Sequence, residues 1–156
     1  MFRSSVVKKN QQTLSSTFNS PVMGRLLEKI KGRQHLAIVE FGLSADNTQA
    51  LINQNGNNII ITDIFAFLRK QKRKPNEDHS VFYKRLYRLT SQYLKLPENL
   101  VFDVVLCWDG INYLDREVLA FLCRFLETLT HDETLMHAYV YTHEKLPEEP
   151  GEFELI

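Results

Sequence analysis

Two hydrophobic rhythms alternate along this chain, one stepping at helical spacing and the other running unbroken. After Ser20-Pro21, the residues Val22, Met23, Leu26, Leu27 and Ile30 share one helical face. Ser suits the cap of such a helix and Pro its first turn. Gly32 suits a left-handed residue just past the end. A second helix is expected from Asp78, with Phe82, Leu86, Leu89 and Tyr93 on one face. A third, over residues 115–129, puts Val118, Leu119, Phe121, Leu122, Phe125, Leu126 and Leu129 in one wide stripe. Its other side carries Arg116, Glu117, Arg124 and Glu127.

The unbroken runs are residues 35–41, 59–61, 101–107 and 135–142. Strands buried on both faces read as continuous apolar stretches, so these predict a parallel sheet between helices. Residues 42–47 and 53–58 have turn chemistry, and a short helix is expected at 48–52 between them. A further helix begins at 64–68 and is expected to run through the basic stretch 69–74, stopping before Pro75. Helix and strand therefore alternate, which is an α/β pattern with right-handed crossovers.

Composition changes this picture little. The 156 residues, 44% hydrophobic and 24% charged, suit one soluble domain. No apolar run reaches the ~20 residues of a membrane span, so no membrane partner is expected. Cys107 and Cys123 lack CxxC spacing and read as reduced, buried thiols of a cytoplasmic protein. Residues 1–18 read as a flexible tail and not as an organellar presequence, residues 19–145 as the domain, and 146–156 as an acidic tail.

Charge is distributed unevenly. Residues 1–114 hold 16 Lys/Arg against 9 Asp/Glu, and residues 115–156 hold 3 against 10. Residues 69–74 contain five cations. No aromatic residue is interleaved among them, so the favoured reading is a solvated helix end and nucleic acid is disfavoured. The five histidines show no metal-ligand spacing, and no metal is expected.

Candidate chemistry lies at the ends of the apolar runs, where open parallel sheets hold ligands. The first run ends Val39-Glu40-Phe41-Gly42-Leu43-Ser44-Ala45-Asp46. The second ends at Asp63, followed by Ile64, and the third leads into Trp108-Asp-Gly-Ile-Asn-Tyr-Leu114. Asp63 stands where a carboxylate accepts two ribose hydroxyls, and it equally fits a helix cap. Trp108, Asp109, Asn112 and Tyr113 form a set able to stack on and orient a flat acceptor. They equally fit a Trp packed under the helix at 115 and an Asp that closes a turn.

With Glu40, Gly42, Asp63 and Phe102-Asp…Asn112-Tyr-Leu114, the chain resembles class I S-adenosylmethionine-dependent methyltransferases over about residues 19–145. It is also similar to uncharacterised bacterial methyltransferase-domain proteins that share a Leu-Cys-Trp-Asp…Asn-Tyr-Leu signature. The resemblance implies a Rossmann-like three-layer sandwich of about four mostly parallel strands, order 2-1-4-5. The family's third strand and C-terminal hairpin are missing.

It implies S-adenosylmethionine as cofactor, held by Glu40, Gly42, Ser44, Asp63 and Ile64. Asp109 and Tyr113 become the catalytic residues; Trp108 and Asn112 bind an unknown acceptor. Ser44 and Asp46 stand where the family's second and third glycines would be, which with the missing strand and hairpin leaves open a domain that binds a partner without catalysing; the basic run 69–74 leaves a third alternative, an RNA- or nucleotide-binding protein. With no third strand, the edge of the second strand calls for cover by residues 64–94 or for a homodimer through that edge.

Overall fold

The computed structural model describes residues 2–5, 15–18, 20–42, 56–142 and 146–155. The expected turns and short helix between residues 43 and 55 lie outside them.

Four parallel strands form the main sheet: β3 (Ala37–Phe41), β4 (Asn58–Thr62), β5 (Phe102–Trp108) and β6 (Thr130–Ala138). Their spatial order is β4-β3-β5-β6. Counted along this chain it is 2-1-3-4, where the expected numbering 2-1-4-5 reserved a place for a further strand. No strand occurs between Asp63 and Val101. The last strand starts earlier than its apolar run, at Thr130, because its first residues pair with Phe102 across a bulge.

Alternate residues of the continuous runs enter two cores. On one face Ile38, Val104, Leu106 and Trp108 pack against Met23, Leu26 and Ile30 of α1 (Pro21–Lys31). On the other, Val39, Phe41, Val105 and Cys107 meet three helices. These are α2 (Ile64–Leu68), α3 (His79–Leu94) and α4 (Arg116–Glu127). Each fully buried Leu or Phe contributes about 1.5–3 kcal/mol, which makes the three-helix face the larger source of stability.

Local chemistry sets the helix ends. The Ser20 side chain accepts from Met23 N at 3.3 Å, and Pro21 fills the first turn, as expected. Gly32 is a correction: its φ is −80°, an ordinary helical value, so glycine's freedom is not used there. A second correction concerns the basic run. α2 stops at Leu68, and residues 69–77 form a strap. Pro75 excludes Lys74 from helix. The strap's backbone finds other partners: Arg85 Nη2 donates to Lys72 O at 3.0 Å, and Lys74 N donates to Glu77 Oε2 at 2.9 Å. Cys123 is a third correction, being exposed on the outer side of α4, whereas Cys107 is buried.

A separate antiparallel sheet joins the chain ends. β1 (Phe2–Ser5) lies between β2 (Ser15–Phe18) and β7 (Glu152–Leu155). The segments expected as tails, 1–18 and 146–156, thus contain three strands. The pairing of β1 with β7 joins short strands from opposite ends of the chain, which composition does not reveal.

Candidate functional site

The C-terminal edge of the main sheet brings Glu40, Gly42, Asp63 and the turn after Trp108 to the ends of adjacent strands. Phe41 pairs with Thr62 and Glu40 with Leu106 in the ladders, so Glu40, Asp63 and Trp108 end or follow three adjacent strands. A short 3-10 turn, Gly110–Tyr113, follows β5. It sits so close to α2 that a Cβ on Gly110 would stand 2.1 Å from the Phe65 ring.

Glu40 is fully buried. Its Oε1 accepts from Trp108 Nε1 at 2.6 Å. Buried carboxylates are costly unless hydrogen-bonded, and the indole N–H supplies one such bond. Trp108 packs on the α1 side of the sheet, the side opposite α4, so the expected packing of its ring under the helix at 115 is corrected. Its φ of +44° is unusual for a bulky residue and costs about 1–3 kcal/mol. Gly42 needs its glycine, with φ +118°, and a Cβ there would lie 3.5 Å from Trp108 Cδ1. Its N–H donates to Thr62 O at 3.0 Å.

Asp63 caps α2, accepting from Ala66 N at 3.0 Å. Its carbonyl accepts from the Tyr93 hydroxyl at 3.2 Å. Ile64 is fully buried in the core under α2 and α3. Ser44 lies outside the described residues.

Asp109, Asn112 and Tyr113 all hold the chain that follows β6. Asp109 is 1% exposed. Its Oδ2 accepts from Tyr141 Oη at 3.0 Å and from Gly151 N at 2.9 Å. Burial raises its pKa, against the lowering pull of those two donors. The Asn112 amide donates to Tyr139 O at 2.7 Å and accepts from Tyr141 N at 3.0 Å. Tyr113 Oη donates to Glu149 O at 2.8 Å, and Arg69 lies 5.3 Å from its ring centre. Burial, and then the charge of Asp109, push the Tyr113 hydroxyl up to about 12.

Three further residues complete the cluster: Tyr139 and Tyr141, not singled out in the sequence, and His137, expected there only as a packed strand residue. His137 and Tyr139 sit beside Trp108, at ring distances of 6.3 and 6.4 Å. Tyr141 reaches Asp109, and burial raises its pKa as well. His137 is buried, which lowers its pKa. The signal was the alternate spacing of residues 137, 139 and 141, which suits one face of an extended segment.

Among the described residues, no group of three His, Cys, Asp or Glu is placed to hold a metal ion. No helix among them is long and apolar enough to cross a membrane. Comparison with known proteins finds no matching family model, no matching curated protein and no matching solved structure.

Proposed function

We propose that this chain is a Rossmann-like, methyltransferase-like domain of the cytoplasm that serves as a binding or partner module, with its strand-end crevice given over to packing. The observation that carries this reading is Trp108. Its indole lies buried beside Gly42, with its N–H on Glu40 Oε1, where a cofactor of the family would approach the first strand. Asp109, Asn112 and Tyr113, the candidate acceptor-side residues, are engaged with Tyr139, Tyr141, Glu149 and Gly151. Unlike these groups, a general base needs free reach to the proton it takes.

A second reading, methyl transfer from S-adenosylmethionine to an unidentified acceptor, is favoured by a different observation. Glu40 and Asp63 end adjacent parallel strands, and Gly42 has the backbone of a ligand-approaching glycine. In that case Glu40, Gly42, Ser44, Asp63 and Ile64 surround the cofactor, Asp109 and Tyr113 serve catalysis, and Trp108 and Asn112 face the acceptor. On either reading β4, which among the described strands pairs only with β3, is the proposed edge for a homodimer.

Calorimetric titration with S-adenosylmethionine and S-adenosylhomocysteine separates the two. The module reading expects no heat at millimolar ligand. Micromolar binding that disappears in Asp63→Ala would establish the second reading in its place.

A further inference from the structure

The layer made by the strap, α3 and α4 carries most of the molecule's unbalanced positive charge. Residues 69–95 and 115–127 together hold 11 Lys/Arg against 5 Asp/Glu. Two of those acids are consumed internally. Glu77 takes Arg85 at 2.8 Å, and Glu117 takes Arg73 at 3.1 Å and His79 at 2.8 Å. Asp78, Asp115 and Glu127 remain. Lys70 and Lys72 on the strap, and Lys84 and Arg88 on α3, are exposed and make no ion pair among the described residues; Lys74 is exposed beside Glu77, which its backbone N–H meets at 2.9 Å.

The sequence offered no aromatic residue within the basic run, but the fold supplies them from the neighbouring helix. Arg73 is tied to Glu117, whose carbonyl accepts from the Tyr83 hydroxyl at 3.4 Å. Tyr83 and Tyr87 form one row along α3 at i, i+4 spacing, and Lys84 and Arg88 form the adjoining row. Tyr87 is 49% exposed and rests edge-on against Phe125 at 5.3 Å. Tyr83 is held by Phe121 at 6.0 Å, with the Arg124 guanidinium 5.4 Å from its ring centre. Beside this row the strap and the start of α4 enclose an open cavity of about 420 Å³, lined by Lys72, Arg73, Lys74 and Asn76, with Asp115 and Glu117 on its other wall.

We propose that this face binds a single-stranded nucleic acid, with the backbone phosphates on the strap and Lys84/Arg88 row and a base stacked on Tyr87. Cations alone would suit any polyanion. A half-exposed aromatic ring, braced from behind within the cationic face, adds a surface that nucleobases use and acidic peptides do not. The acid-rich stretch after residue 126 would repel the same strand, which confines it to this layer. This inference is independent of the strand-end reading, since none of its residues touches Glu40, Asp63 or Trp108.

The test is fluorescence anisotropy of a labelled mixed-sequence RNA oligonucleotide titrated with the full chain at several salt concentrations. Binding tighter than about 100 μM at low salt is expected, with log K falling by about 0.7 per phosphate contacted for each tenfold rise in salt. The triple change Lys70→Ala, Lys72→Ala, Lys74→Ala should weaken binding at least about tenfold and flatten the salt slope. Tyr87→Ala should weaken it about fivefold or more without changing the slope, and Tyr87→Phe should restore it. All these side chains are exposed or half-exposed, and an unchanged circular dichroism melt checks that each variant folds. No binding at that concentration overturns the proposal. So does RNA affinity indifferent to Tyr87→Ala, or matched by polyglutamate, which would assign the face to an acidic protein.

Discussion

Trp108 holds a left-handed backbone, φ +44°, that an aromatic side chain rarely adopts. The surroundings hold it there. Its carbonyl accepts from Tyr139 N at 2.6 Å, and its indole donates to buried Glu40. Trp108→Phe keeps an aromatic ring but removes the donor to a carboxylate that water does not reach. Leaving a buried acceptor without its donor costs about 1–3 kcal/mol, so a loss of about 2 kcal/mol is expected in urea unfolding. Glu40→Gln keeps an acceptor for the indole and should cost less. Equal stability of Trp108→Phe and the parent would show that the indole bond contributes nothing. Glu40, Gly42 and Trp108 each stand out in the sequence as candidates at strand ends, but their mutual contact does not. Which face a strand residue occupies depends on register, and a shift of one residue reverses it.

At the scale of elements, periodicity located every helix and strand of the main sheet, because burial on one face or on two leaves its mark on residue spacing. It failed at the strap, where cations with good helix propensity suggested continuation. There Arg85 and Glu77, from further along the chain, satisfy backbone groups that a helix would otherwise pair. The same pair gives the strap its pH response. The Arg85 hydrogen bond, with help from Lys74 N, lowers the Glu77 pKa from 4.5 to about 2. A depressed carboxyl contributes stability that is present in full above pH 4.5 and lost as pH falls towards 2. Glu77→Gln should therefore melt lower than the parent at neutral pH. It should also lose less than the parent when both are acidified through that window. Parallel melting curves for parent and variant across the window would contradict the ion pair.

At the scale of the molecule, the chain ends were the least legible part, since β1 pairs with β7 across almost the whole sequence as well as with nearby β2. Asp109 connects that closure to the strand-end site by accepting from Gly151 N and Tyr141 Oη. Asp109→Ala would leave a buried N–H and a hydroxyl without this acceptor, at a cost of about 2–4 kcal/mol. The loss should be local first: hydrogen exchange at Gly151 and through residues 139–142 should accelerate before the main sheet opens. Asp109→Asn, which retains an acceptor, should keep most of that protection. Its pH dependence has the opposite sign to that of Glu77. Burial holds the Asp109 pKa above its ordinary 3.8, so its contribution is full below pH 3.8 and declines as pH rises through the folded value. The parent should thus lose stability relative to Asp109→Asn as pH rises from 3.8 towards neutrality. A Gly151 amide that exchanges at the same rate in the parent and in Asp109→Ala would show that the carboxylate does not hold the C-terminal segment.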